Sequence, residues 1–64
     1  MLEYVKLILD KVSFDPALFE KELRKSVKTL VSDELELLQS WCYTHFPTTY
    51  HSILDRVFGT VQAA

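Results

Sequence analysis

A single glycine and two prolines in 64 residues leave this chain few places for the tight turns that join β-strands. No segment alternates apolar and polar residues over the length of a strand between turn residues. Apolar residues instead recur at intervals of three and four, which is the period of one face of a helix. We therefore predict an all-α protein, a small compact bundle of about four short helices.

The length of the chain allows one domain. Its 64 residues fall below the usual domain size of about 100 to 150, so residues 1–64 are expected to form a single helical domain. Apolar residues make up 48% of the chain and charged residues 25%, the balance of a packed globular protein. A domain this small buries only about 60% of the surface that its unfolded chain exposes. Association with itself or with another protein would bury more.

Four helices are predicted, over residues 2–12, 16–31, 33–45 and 49–58. Asp15 has the side chain of an N-cap for the second helix, and Pro16 suits the first helical position. Phe14 is expected to pack against Phe19 across this boundary.

The later boundaries are marked by hydroxyl side chains and by a proline. Ser32 is expected to cap the third helix, and Thr48 or Thr49 the fourth. Phe46 should end the third helix because the residue before a proline is disfavoured in helical conformation. The predicted core consists of Val5, Ile8, Phe19, Leu23, Val27, Leu38, Trp41, Ile53, Leu54 and Val57.

Net charge and cysteine content limit which partners and which cellular location the sequence predicts. A net charge of -2 provides no general attraction to phosphate backbones or to anionic lipid. Cys42 is the only cysteine, so an intramolecular disulfide is excluded and a reducing, cytoplasmic location is expected. Glu3, Lys6 and Asp10 interrupt the first apolar stretch, which favours neither a signal peptide nor a membrane span. The initial methionine fits a complete small gene product and a fragment equally.

The residues with reactive side chains cluster between Trp41 and Ser52. Cys42, His45 and His51 are the types that bind zinc, but a structural site needs four ligands and the chain has no second cysteine. A Cys42–His45 nucleophile pair would lack an orienting group and an oxyanion site. We expect a partly buried His45 hydrogen-bonded to a backbone carbonyl or a threonine hydroxyl, and a packed Cys42 thiol. The sequence thus predicts no metal, no cofactor, no small-molecule substrate and no enzymatic activity.

A basic stripe on the second helix is the basis of an alternative function. Four cationic residues at helical spacing share one face: Lys21, Arg24, Lys25 and Lys28. Such a stripe could follow a phosphate backbone, which would make the protein a nucleic-acid-binding regulator. Acidic neighbours oppose this hypothesis, and a third helix that begins with Asp33 and Glu34 would present carboxylates to DNA. Nucleic acid is therefore the disfavoured partner.

The favoured function is a helical protein-interaction or self-associating module. Leu7 falls outside the apolar arc of the first helix, so it is either exposed or covered by another chain. Leu37 and Tyr43 lie toward opposite edges of the apolar side of the third helix, and Tyr50 and His51 follow across the next turn. Aromatic and large apolar residues are favoured at interface centres. These five residues form the candidate interface, and a symmetric homodimer is the expected assembly, with the first helix as the leading contributor.

Overall fold

A computed structural model describes the backbone of residues 1–61 and the side chains of residues 1–59. In that range the chain forms α1 (Leu2–Val12), α2 (Pro16–Val27), α3 (Ser32–His45) and α4 (His51–Val61), with a 3-10 helix at Thr48–Tyr50. The all-α prediction is confirmed. The principal contacts form a ring in which α1 and α4 each pack against both α2 and α3. None of the helices within residues 1–61 has the length and apolar content needed to cross a bilayer.

The start of α2 follows the predicted capping pattern. One carboxylate oxygen of Asp15 accepts hydrogen bonds from the backbone N–H groups of Ala17 at 3.1 Å and Leu18 at 3.3 Å. Pro16 occupies the first helical position, where its missing N–H costs nothing. Asp15 therefore satisfies two of the backbone donors that a helix start leaves unpaired.

The expected contact between Phe14 and Phe19 is wrong. Phe14 is 78% exposed, whereas Phe19 is fully buried. The Phe19 ring instead makes edge-to-face contacts with Phe46 and Tyr50, with ring centroids 4.9 Å apart in each pair. Long-range aromatic packing therefore takes the position that a local contact was predicted to fill.

The second helix ends at Val27, four residues before its predicted end at residue 31. Hydroxyl groups compete with the helical hydrogen bonds here. The Ser26 hydroxyl donates to the Glu22 carbonyl at 2.9 Å, and the Ser26 carbonyl accepts from the Thr29 hydroxyl at 2.9 Å and from the Leu30 N–H at 3.3 Å. The backbone N–H groups of Lys28 and Thr29 bond to carbonyls three residues back, at Lys25 and Ser26, so the chain tightens there before the loop that leads into α3.

The helix starts at Ser32 and Thr48 differ from the prediction. Val31, with extended backbone, holds the N-cap position of α3, so Ser32 is the first helical residue and not the cap. Thr48 and Thr49 lie inside the 3-10 helix, which the extended Pro47 precedes. Extended backbone at Val31 and at Pro47 precedes these two helices, and no described side chain caps the first turn of either one.

The end of α3 is as predicted, whereas α4 is longer than expected. Phe46 takes an extended conformation with ψ of 152°, as the residue before a proline should. The last helix continues through Gly59 to residue 61. One glycine lowers helix propensity by about 1 kcal/mol relative to alanine, which packing of the buried α4 face can offset.

The core lies inside the ring of helices. Ile8 and Trp41, both predicted to be core residues, are only partly buried, and Trp41 packs against the edge of the core. The buried apolar residues are Val5, Leu9, Phe19, Leu23, Val27, Leu30, Leu38, Cys42, Phe46, Ile53, Leu54, Val57 and Phe58.

Candidate functional site

Two exposed large apolar side chains lie on α1, and a third directly precedes it. Met1 is 70% exposed, Tyr4 62% and Leu7 53%. Val5 and Leu9 point into the core from the opposite side of the same helix. The exposure of Leu7 agrees with its position outside the apolar arc. Large apolar groups that face water in a group are typical of interaction surfaces.

Charged residues flank Leu7 at equal distances along α1. Glu3 lies four residues before it and Lys11 four residues after it, and both are exposed. Side chains four residues apart share one face of a helix, so these residues form a single row. We call Glu3, Tyr4, Leu7 and Lys11 the α1 outer face.

Leu37 also faces solvent, but its neighbours on α3 are mainly polar. It is 59% exposed. The positions beside it on the helix surface are occupied by Asp33, Ser40 and the half-buried Trp41. The aromatic neighbour of Leu37 is therefore half-buried, whereas Leu7 has the exposed Tyr4 beside it.

Two other predicted interface residues, Tyr43 and His51, meet between α3 and α4. Their rings pack edge to face with centroids 4.9 Å apart, and both side chains are half-buried. The Tyr43 hydroxyl donates a hydrogen bond to the Asp55 carboxylate. Burial, together with this bond and the carboxylate charge, raises the pKa of Tyr43 to about 12. Both aromatic side chains thus make contacts within the chain.

Tyr50, the remaining predicted interface residue, joins two distant loops. Its hydroxyl donates to the backbone carbonyl of Ser13, between α1 and α2. Its ring stacks on Phe46 with a centroid distance of 6.0 Å. The half-buried Tyr50 therefore fixes the 3-10 helix against the α1–α2 turn.

Cys42 has the environment of a structural thiol. It is fully buried in the core. Desolvation, with a smaller contribution from the Asp10 charge and an opposing one from Lys6, raises the pKa of the Cys42 thiol to about 12. The reactive form of cysteine is the thiolate, which this environment disfavours.

His45 differs from its predicted environment. The expected partner was a backbone carbonyl or a threonine hydroxyl, but Nε2 of His45 lies 2.7 Å from Oδ1 of Asp10 on α1. The imidazole ring is exposed and stacks on Trp41 with a centroid distance of 4.5 Å. Lys6 places its Nζ atom 5.5 Å from the centroid of the Trp41 ring. This cluster joins α1 to α3 and occupies His45 with structural contacts.

The Cys42, His45 and His51 side chains do not converge. Among the described residues, no group of three or more His, Cys, Asp or Glu side chains has the arrangement needed to hold a metal ion. Nε2 of His51 is buried and has no hydrogen-bond partner within the described part of the chain. His51 packs against Tyr43, while His45 pairs with Asp10 on α1.

The basic stripe of α2 lies on the surface, as its spacing predicted, but carboxylates partly neutralise it. Arg24 bonds to Glu20 at 2.8 Å, and Lys25 lies 3.9 Å from Glu22. Glu20 also contacts Arg56 of α4 at 3.4 Å. Lys21 and Lys28, which complete the stripe, are exposed.

The structure therefore has three candidate interaction surfaces: the α1 outer face, the His45–Trp41 cluster and the basic stripe. The first is apolar at its centre, whereas the other two are polar or charged and their side chains contact carboxylates of the same chain. No family model, curated protein or solved structure matches this chain.

Proposed function

We propose that this chain is a non-enzymatic, cytoplasmic interaction module that forms a homodimer through the α1 outer face. The observation that carries the proposal is the exposure of Tyr4 and Leu7 side by side, on the side of α1 opposite its core residues. Aromatic and large apolar groups are favoured at the centres of protein interfaces. Since two-fold pairs are the commonest homo-oligomers, a second copy is the occupant we assign to this face.

The size of the face sets the expected affinity. An 11-residue helix is about 16 Å long at 1.5 Å per residue. One side of such a helix is smaller than the roughly 800 Å² per partner of a standard stable interface. We therefore expect a weak dimer with a Kd in the micromolar range, which corresponds to about -8 kcal/mol at 1 μM.

Sedimentation equilibrium tests the proposal. At about 100 μM, a micromolar dimer is well populated. The mass should then approach about 15 kDa, twice the 7.5 kDa of one chain. Leu7→Glu should return the mass to one chain, because dimerisation would bury the new carboxylate without a partner.

Leu37→Glu is the matched control. Leu37 and Leu7 are the same residue type, each on the surface of a helix and each more than half exposed. Leu37→Glu should therefore leave the dimer intact. A wild-type mass of one chain at 100 μM would overturn the proposed function. A dimer dissociated by Leu37→Glu and not by Leu7→Glu would move the interface to α3.

The basic stripe of α2 gives less support to nucleic-acid binding, since Glu20 and Glu22 pair with two of its four cations. Retention of the wild type on heparin at low salt, lost when all four cations are changed to glutamine, would favour that alternative. We expect weak retention that the four changes alter little.

A further inference from the structure

We infer that the two copies of α1 pack antiparallel about a two-fold axis at Leu7, so that Glu3 of each copy pairs with Lys11 of the other. This inference rests on the proposed homodimer and specifies its geometry. The occupant of the α1 outer face is thus a second copy in one orientation, recognised by charge as well as by apolar contact.

The charges of the α1 outer face are arranged symmetrically about Leu7. Glu3 and Lys11 lie four residues on either side of Leu7, which is about 6 Å in each direction along the helix axis. Reversing the helix about Leu7 exchanges the acidic position with the basic one. An antiparallel pair therefore places opposite charges together at both ends of the row.

A parallel pair would do the reverse. Glu3 would then face Glu3 of the other copy, and Lys11 would face Lys11. Like charges in contact across an interface are unfavourable and select against that arrangement. The charges of the α1 outer face thus discriminate between the two orientations.

Helix geometry allows the rows to align. Residues four apart form ridges inclined by about 26° to the helix axis. Two helices that align such ridges cross at about 50°, the commonest packing class in globular proteins. Leu7 then meets its own copy at the crossing point, with Tyr4 beside it.

Both charged side chains are accessible for this pairing. Glu3 contacts Lys6 at 3.4 Å, but its side chain is 86% exposed and such surface pairs contribute little. Lys11 is exposed in the last turn of α1. The pairing needs no rearrangement of the core.

Charge exchange tests the geometry. Glu3→Lys alone and Lys11→Glu alone each turn two attractive pairs of the dimer into two repulsive ones. Each change should raise the Kd by at least about 4-fold at low salt, since two exposed pairs of about 0.2 kcal/mol or more each change from attraction to repulsion. An equimolar mixture of the two variants restores opposite charges at both ends, and its Kd should return to within about 3-fold of the wild type.

The mixture also controls for the helix dipole, which each variant opposes slightly at one end of α1. Each variant in the mixture is also measured alone, so any effect of its substitution on α1 itself is present in both samples. If either variant fails to fold by circular dichroism, the salt dependence of the dimer serves instead. Raising NaCl from about 0.05 M to 0.5 M should weaken the wild-type dimer, because salt screens its ion pairs. The same change should leave a Glu3→Gln/Lys11→Gln dimer unchanged.

The outcomes separate this inference from the proposed function. A monomeric wild type removes both. A dimer that Leu7→Glu dissociates but that neither single charge change weakens keeps the function and overturns the antiparallel pairing. Where salt dependence is measured instead, a wild-type dimer that NaCl leaves unchanged or strengthens also overturns the antiparallel pairing.

Discussion

Replacing Phe19 by leucine should destabilise the fold through the loss of two aromatic contacts. Phe19 is fully buried, and its ring makes edge-to-face contacts with Phe46 and Tyr50. Each such pair contributes about 0.5–1.5 kcal/mol beyond the area that it buries. Leucine keeps most of the apolar volume but neither contact, so the expected loss is about 1–3 kcal/mol.

That loss is a large part of the stability expected for this chain. At about 0.05–0.15 kcal/mol per residue, 64 residues give a free energy of unfolding of about 3–10 kcal/mol. Each kcal/mol lowers the Tm of so small a domain by about 4–8 °C. Phe19→Leu should therefore melt about 4–24 °C below the wild type.

Urea titration followed by circular dichroism measures the effect, at about 5 μM protein to limit the contribution of a dimer. Phe14→Leu is the matched control, since Phe14 is 78% exposed and should change the free energy of unfolding by no more than about 0.5 kcal/mol. The m-value should stay constant in both variants. An equal loss in the two variants would refute the assignment of Phe19 to the aromatic core.

Three further predictions concern titratable groups. The folded pKa of Tyr43 lies above its usual 10.0, so the native state keeps a proton that the unfolded state loses. The free energy of unfolding should therefore fall as pH rises from 10 toward 12. In urea titrations, the free energy of unfolding of Tyr43→Phe should fall less steeply over that window. A thiol reagent at pH 8 should label Cys42 at least about 100-fold more slowly in native protein than in urea-unfolded protein, and equal rates would show an accessible thiol. His51→Phe should raise the free energy of unfolding by about 1 kcal/mol, because it removes a buried nitrogen that has no partner within the described part of the chain. A lower urea midpoint than that of the wild type would contradict this.

Local patterns were sufficient for the class of fold and for some boundaries. Asp15 followed by Pro16 predicted the start of α2, because both act on the first helical turn alone. Phe46 before Pro47 predicted the end of α3 for the same reason. The end of α2 was not predicted because hydroxyls such as that of Ser26 can either cap, face solvent or bond to a carbonyl, and the sequence does not choose among these.

Contacts between distant residues account for the other differences. Asp10 and His45 are 35 positions apart, so no periodicity along one helix connects them. Helical spacing correctly set Leu7 apart from the α1 core positions, since that spacing depends only on α1 itself. It gave no indication that the Tyr43 hydroxyl bonds to Asp55 across two helices. The candidate surface on α1 was therefore predictable, but the internal contacts of Tyr43, Tyr50 and His51 were not.

The ring of contacts among the four helices bears on how the molecule opens. Although α1 and α4 are the first and last helices in the sequence, each is held by both α2 and α3. Opening of α1 would uncover apolar groups on both middle helices, and so would opening of α4. Amide protons in the middle of all four helices should then exchange with solvent through one global unfolding event, with similar protection, and not through stepwise opening from either end.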